Sequence, residues 1–498
     1  MNVNPITRLD YPDPDVIRVE DTYYMVSTTM HFMPGCEILQ SFDLVHWEHV
    51  TYVYETLDHT DAQQLKSGQN IYGQGMWAAS LRYHEGRFYI CFVANDTRKT
   101  YLYTSEKIDG PWEKQLIEGF YHDGSLLFDE DGRNYIVYGN DEIWITELNE
   151  DLTAPKKDGL HRLLVSDHKN PELGYEGSHI QKINGYYYIF LVHSLRDRWM
   201  RTEACFYSDS LEGEFTGGDV LCDDRGYCGQ GVAQGGIVDT PDGKWYAMLF
   251  QDSGAVGRIP ILLPVTWKDH FPVFGQNGHV PEEIEVHSTR PGYIYQPLVG
   301  SDDFCNGLLP RWQFNHDPDP RYYHLDALQG TYTITTREVC TELTQAVNTL
   351  TQRMSYPSCA AEVTVDASAL KEGDVAGLCA LQSCYAAVGI TKHHGKYEVL
   401  MLDKKEDGIL DMTEGTVVES HQMDFRLEAD FCNMKDEARC YYRVNKGDWL
   451  PIGTVHKLYF KLDHFTGCRF GLFCYAAEET GGSACFRDFK YYDVDEIS

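Results

Sequence analysis

Apolar and polar positions alternate along most of the chain in short runs, and capped helical periodicity is nearly absent. Before residue 260 one unit recurs five times: a turn residue, two variable residues, an aromatic, then apolar strand positions. The instances are Asp21 to Tyr24, Gly86 to Tyr89, Gly132 to Tyr135, Gly185 to Tyr188 and Gly243 to Tyr246. Apolar tails follow each, as in Ile90-Cys91-Phe92-Val93 and Ala247-Met248-Leu249-Phe250. An apolar pair and an acidic turn often precede the unit, as in Leu127-Phe128-Asp129-Glu130-Asp131-Gly132. Strand, Asp-Gly-type turn, aromatic strand is a hairpin signature. The turn residues fall roughly 45–65 residues apart, the length of a four-stranded sheet with its loops, and repetition at that period marks a propeller or solenoid. A weaker repeat, Ser41 to Trp47 and Ser105 to Trp112, reads as outer strands ending in Trp. Five units predict a five-bladed β-propeller over residues 1–295.

The pattern stops before the turn-rich segment Ser288 to Ser301. From residue 301 to 498 the chain is again strand-rich, with alternation at Val363-Thr364-Val365 and turns at Gly373-Asp374 and Asn445 to Gly447. Nearly all-β composition over this length predicts a β-sandwich. The expected fold class is therefore all-β, a propeller followed by a sandwich.

Composition narrows the partners. Aromatics at 13% exclude a disordered chain, and a formal net charge of −34 argues against nucleic acid or an anionic membrane, which are held by Lys and Arg. Neither a signal-peptide pattern nor an apolar run of spanning length is visible. Fifteen cysteines, an odd number without a Cys-x-x-Cys pair and often inside apolar runs, fit buried thiols in a reducing cytoplasm.

Three acidic motifs stand just before repeat units: Tyr11 to Asp15, His122 to Ser125 and Tyr175 to His179. The inner strands of a propeller converge on one axis, so Asp13, Asp123 and Glu176 would meet in one cavity from three blades. Two carboxyl groups flanking a glycosidic bond can cleave it with water, one protonating the leaving oxygen and the other activating the water.

At these motifs the chain resembles glycoside hydrolase family 43, in its β-xylosidase-like form. The marks are Asn4-Pro5, Pro12-Asp13-Pro14, the strand Arg18 to Tyr24, Met76-Trp77-Ala78 with Arg82-Tyr83-His84, and Gly257 to Pro260 followed by Pro264 to Trp267. The second half resembles the concanavalin-A-like (jelly-roll) sandwich fused to these enzymes, at Asp302 to Phe304, Trp312 to His316, Asn348 to Arg353 and Gly373 to Leu378. The resemblance implies Asp13 as general base, Glu176 as general acid, and Asp123 as a third carboxylate that orients the acid and raises its pKa. It implies Arg258 as a sugar-binding arginine beside the base, with Trp77 and Phe32 as apolar pocket walls and His31 as polar lining. It further implies inversion in one step, which needs roughly 6.5–9.5 Å between base and acid.

Two departures bear on specificity. Ala79 replaces the proline of the Trp-Ala-Pro motif, and Met30 to Gly35 replaces a Trp-containing loop after the first unit, which leaves xylose against arabinose open. Where many relatives carry a metal-holding histidine on blade five, Gln234 stands here; no metal is expected to be required, although an amide oxygen can ligate a calcium at the propeller centre. The expected activity is exo-acting removal of terminal xylose from short β-1,4-xylo-oligosaccharides, with α-L-arabinofuranosidase side activity. The alternatives are a dedicated α-L-arabinofuranosidase and, from another class, a non-catalytic carbohydrate-binding protein. The family resemblance implies a homo-oligomer.

Overall fold

The computed structural model describes residues 2–413 and 415–493. Among these no α-helix occurs; strands and four short 3-10 turns carry the fold. Five four-stranded antiparallel sheets come first. Their innermost strands are Asp15–Val19, Met76–His84, Ser125–Phe128, Glu176–Ile183 and Val232–Asp239, and each sheet then runs outward in chain order. Each innermost strand packs on its neighbours and the fifth packs on the first, so the sheets close a five-bladed propeller. The ring is sealed by the N-terminal segment laid on blade five. Asn4 exchanges side-chain hydrogen bonds with Leu262, at 2.8 and 3.0 Å, and Asn2–Val3 pairs with Glu283–Ile284.

The repeated turn residues account for the hairpins. Gly86, Gly132, Gly185 and Gly243 have φ of +82°, +82°, +84° and +80°, torsions that suit glycine. Unit one departs from the pattern: its positive torsion falls on Glu20, not Asp21, and Arg290 braces Asp21 at 2.8 Å.

The propeller axis is filled by a side chain. Arg82 of blade two sends its guanidinium across the axis, reaching Asp15 Oδ2 at 2.8 Å on blade one, Ser125 Oγ at 2.7 Å and the Leu126 carbonyl at 2.8 Å on blade three, and the Ile180 carbonyl at 3.3 Å on blade four. Asp15 also accepts from Leu81 N at 2.7 Å and pairs with His179 Nδ1 at 3.2 Å. Burial alone would raise the Asp15 pKa; Arg82 and His179 overcome it and hold the carboxyl below its usual range.

The second half forms two sheets. One contains Gln313–Asn315, Leu350–Arg353, Arg469–Tyr475, Val375–Leu381, Ala386–His393 and Lys396–Lys404; the other contains Thr331–Thr335, Ser483–Asp493, Ser358–Asp366, Gln422–Asp430 and Glu437–Val444. Phe304, Trp312, Leu378, Val388, Phe425 and Phe486 are buried in the core between them. The first sheet does not end in the sandwich. Phe32–Met33, from the loop after the second strand of blade one, pairs with Gln313–Asn315 as its last strand.

Replacing Arg82 with Leu strands the buried Asp15 carboxylate without its cation. We expect a loss of about 3–5 kcal/mol, measured as a lowered urea midpoint with unchanged slope.

Candidate active site

The acidic motifs lie at the N-terminal ends of the inner strands, at one mouth of the ring. Asp13 and Asp123 occupy the turns just before the inner strands of blades one and three, with φ of +52° and +48°. Asp tolerates this region, and here it turns both carboxyls inward. Glu176 opens the inner strand of blade four, where the ladder is interrupted by a bulge between Glu176 and His179. Gly177 takes φ +66° within that bulge, and a Cβ there would sit 2.7 Å from Gln234 Cγ, so only glycine lets blades four and five close together at this point.

Each carboxyl has its own partners. Asp13 is buried, accepts from Thr28 Oγ1 at 2.5 Å, and pairs with Arg258 Nη1 at 3.1 Å. Thr28 in turn accepts from Ala78 N at 2.9 Å, which ties Asp13 to blade two. Asp123 is buried and accepts from Gly177 N at 2.9 Å. Glu176 accepts from Asn140 Nδ2 at 2.8 Å. His122 Nε2 lies 3.5 Å from both Asp123 Oδ2 and Glu176 Oε2.

These placements set the charges. Burial pushes Asp123 up to about 6; the facing charges of Glu176 and Asp13 add to this, while His122 and the Gly177 N–H oppose it. Asp123 is thus a carboxyl raised by its own burial. Asp123, and after it Glu176, hold the proton on His122, which is raised to about 9 against the effect of burial.

Arg258 is sandwiched. Its guanidinium lies 4.3 Å from the centroid of Phe465 and 5.5 Å from that of Phe250. Arg201 approaches Phe250 at 5.2 Å and pairs with Asp252 at 2.8 Å. Although burial opposes it, the charges of Asp252, Glu176 and Asp13 raise the Arg201 pKa.

Phe465 belongs to the sandwich. Its ring is 5.3 Å from that of Trp77, and its carbonyl accepts from Arg258 Nη2 at 3.4 Å. The loop that carries it is clamped by one carboxylate, Asp10, which takes Gly467 N at 2.8 Å and Arg258 N at 2.7 Å. Trp77 is half-buried, faces His122 at 6.1 Å, and so forms a wall with Phe465.

Other expected site residues fall elsewhere. Phe32 is fully buried with the Arg469 guanidinium 3.5 Å from its ring centroid, and His31 is fully buried against Phe32, Tyr72, His316 and His464. Neither offers surface to a ligand, because their loop is consumed in pairing with the sandwich sheet. Gln234 is buried, takes φ +64°, and donates its backbone N–H to Glu203 at 2.7 Å. It packs behind Gly177 as a spacer for the strand that carries Glu176.

At the propeller centre, both Asp15 oxygens are engaged by Arg82, Leu81 and His179, and a guanidinium already supplies the positive charge. This is a poor fit for calcium, which takes six to eight oxygens. His122, Asp123 and Glu176 are the one group among the described residues whose metal-type donor atoms come within 4.8 Å of one another, and there an imidazole stands between the carboxyls. The opposite mouth of the channel opens into a separate cavity of about 470 Å³ bordered by Arg18, His84, Lys182 and Trp245.

His122, Asn140, Arg201 and Phe465 escape a reading of the sequence. Of these only His122 leaves a local signal, as the neighbour of Asp123 in the second acidic motif. Phe465 lies in the other half of the chain, with no motif to connect it.

A five-bladed ring that gathers three carboxyls, an arginine and two aromatic walls at one mouth is the arrangement of a glycoside hydrolase. The comparisons agree. Residues 3–272 match the model of glycosyl hydrolases family 43, and residues 301–492 match the beta xylosidase C-terminal concanavalin A-like domain. The chain belongs to glycosyl hydrolase family 43, an inverting family. It is 26% identical over 555 residues to a beta-xylosidase of Formosa agariphila, covering 99% of this chain and 89% of that relative. It is 24% identical over 541 residues to a xylosidase/arabinosidase of Butyrivibrio fibrisolvens, covering 99% of each. Among solved structures, a bifunctional GH43-CE protein of Bacteroides eggerthii superposes with a TM-score of 0.93 at 42% identity; the match covers 100% of this chain and 64% of that longer one.

Two outcomes test this geometry. Phe465→Ala removes an aromatic wall and should raise KM for the hydrolysed glycoside roughly tenfold, with the melting temperature little changed. His122 holds its proton more tightly folded than unfolded, so its contribution to stability is complete below its ordinary pKa of 6.5 and disappears as pH rises through about 9. Denaturant midpoints measured across that window should fall with rising pH, and the fall should shrink in His122→Asn.

Proposed function

We propose that this chain is an exo-acting hydrolase that releases terminal xylose from short β-1,4-xylo-oligosaccharides, with α-L-arabinofuranosidase side activity. Asp13 is the general base: a buried carboxylate held by Arg258 and Thr28 receives a proton from the attacking water. Glu176 is the general acid and protonates the leaving oxygen, while Asn140 fixes its carboxyl. Asp123 is the third carboxylate, whose negative charge keeps the proton on the His122–Glu176 side of the pocket. Arg258 and Trp77 bind the sugar. One observation carries the reading: Phe465, from the second domain, closes the wall beside Trp77 and Arg258, and a pocket closed on one side admits a chain end.

The beta-xylosidase and xylosidase/arabinosidase relatives support both activities, since the two sugars present similar faces to one pocket. A dedicated arabinofuranosidase is the second reading, favoured by the withdrawal of the loop at His31 and Phe32 from the pocket. The fifteen cysteines form no disulfide among the described residues, which supports a cytoplasmic location. Among the described residues no helix is long and apolar enough to cross a membrane. We expect a homo-oligomer on family resemblance, to be checked by light scattering.

The deciding experiment assays aryl β-xylosides and aryl α-L-arabinofuranosides side by side. Asp13→Asn should lower kcat roughly 10²–10⁴-fold. NMR of the first product should show the anomer opposite to that of the substrate; retention refutes the mechanism. Because Arg82 supplies the central charge, activity should survive EDTA, and loss restored by calcium would overturn that part of the reading.

A further inference from the structure

Two-carboxyl hydrolysis leaves one group in the pocket without a task. His122 stands between two of the three acids, with Nε2 at 3.5 Å from each. The Glu176 oxygen it faces is the one bound by Asn140, and the Asp123 oxygen it faces is the one bound by Gly177 N. Trp77 borders the ring, and the side chain is 20% exposed. The charged groups that face it are Asp123, Glu176 and Asp13, all acidic. A cation enclosed in this way is stabilised by acids and stabilises them in return.

We propose that His122 is a positioning residue for the acid: as an imidazolium between Asp123 and Glu176, it holds the Glu176 carboxyl in place and stabilises the carboxylate left once the proton has moved to the leaving oxygen. The inference rests on the reading of Glu176 as the acid. During cleavage the proton passes from Glu176 to the glycosidic oxygen, the C–O bond breaks, and Glu176 goes from neutral to anionic. Charge therefore develops 3.5 Å from a cation already in position. That stabilisation matters most when the leaving group departs as an alcohol and needs the whole proton. It matters least when the leaving group is a stable anion that departs unprotonated. Without His122 the two carboxyls also face each other unscreened, hold their shared proton more tightly, and make a weaker acid.

The test compares His122→Asn and His122→Ala with the wild-type enzyme on xylobiose and on 2,4-dinitrophenyl β-xyloside. We expect kcat on xylobiose to fall roughly 10–100-fold, while the dinitrophenyl substrate changes within about threefold. The basic limb of kcat/KM should move to higher pH, and added imidazole should restore part of the activity of His122→Ala. Thermal melts establish that the variants are folded; if His122→Ala is not, His122→Asn carries the comparison. Equal losses on both substrates, or a basic limb that stays in place, overturn the proposal. Glu176→Gln is run alongside. If it spares xylobiose hydrolysis, the acid is misassigned and both readings fall; if it loses xylobiose but keeps the dinitrophenyl substrate while the His122 variants behave as wild type, only the role of His122 falls.

Discussion

The guanidinium of Arg82 spans the axis of the ring, and the spacing of three blades depends on it. A propeller draws its inner strands toward a centre that side chains must fill or water must occupy. Here the centre holds one buried anion, Asp15, and one cation with five donors in a fixed fork, directed at a carboxylate, a hydroxyl and three carbonyls. A buried ion pair contributes little net stability compared with an apolar filling, but it penalises any arrangement in which the blades shift out of register. The acids at the mouth inherit that precision. Asp13 lies two residues before Asp15, and Asp123 two before Ser125, so the acids at the mouth are continuations of the groups that hold the axis.

The mouth then has a problem of like charge. Three carboxyls share a pocket with restricted access to water. The structure resolves this with unequal partners. Arg258 and the Thr28 hydroxyl hold Asp13. Asp123 is deeply buried, and its pKa of about 6 places it between the ordinary ranges of a carboxyl and an imidazole. His122 borders two acids at once. Acids set at matched places on blades one, three and four are thus given separate surroundings by what each blade brings beside them.

The blades were legible in the sequence because their cause is local. A glycine at positive φ followed by an aromatic strand needs no distant partner, so four of the five turns are visible in a row of letters, and the fifth differs by one position. Asp13, Asp123 and Glu176 were legible because they precede those units at matched places. Phe32 and His31 misled because a short apolar loop looks the same whether it faces a sugar or a second domain; the pairing that buries them involves Gln313–Asn315, far along the chain. Phe465 and Arg201 were hidden for the same reason. Their neighbours are set by how two domains and two blades meet, and neither contact leaves a local mark.

The strand Phe32–Met33 has one more consequence. Because the first blade donates it to the other domain's sheet, the two halves share a hydrogen-bonded seam rather than a mere surface of contact. A recombination that exchanged the C-terminal half for an unrelated module would leave that edge bare and prone to sticking, besides opening the pocket. At this seam each half is therefore completed by the other.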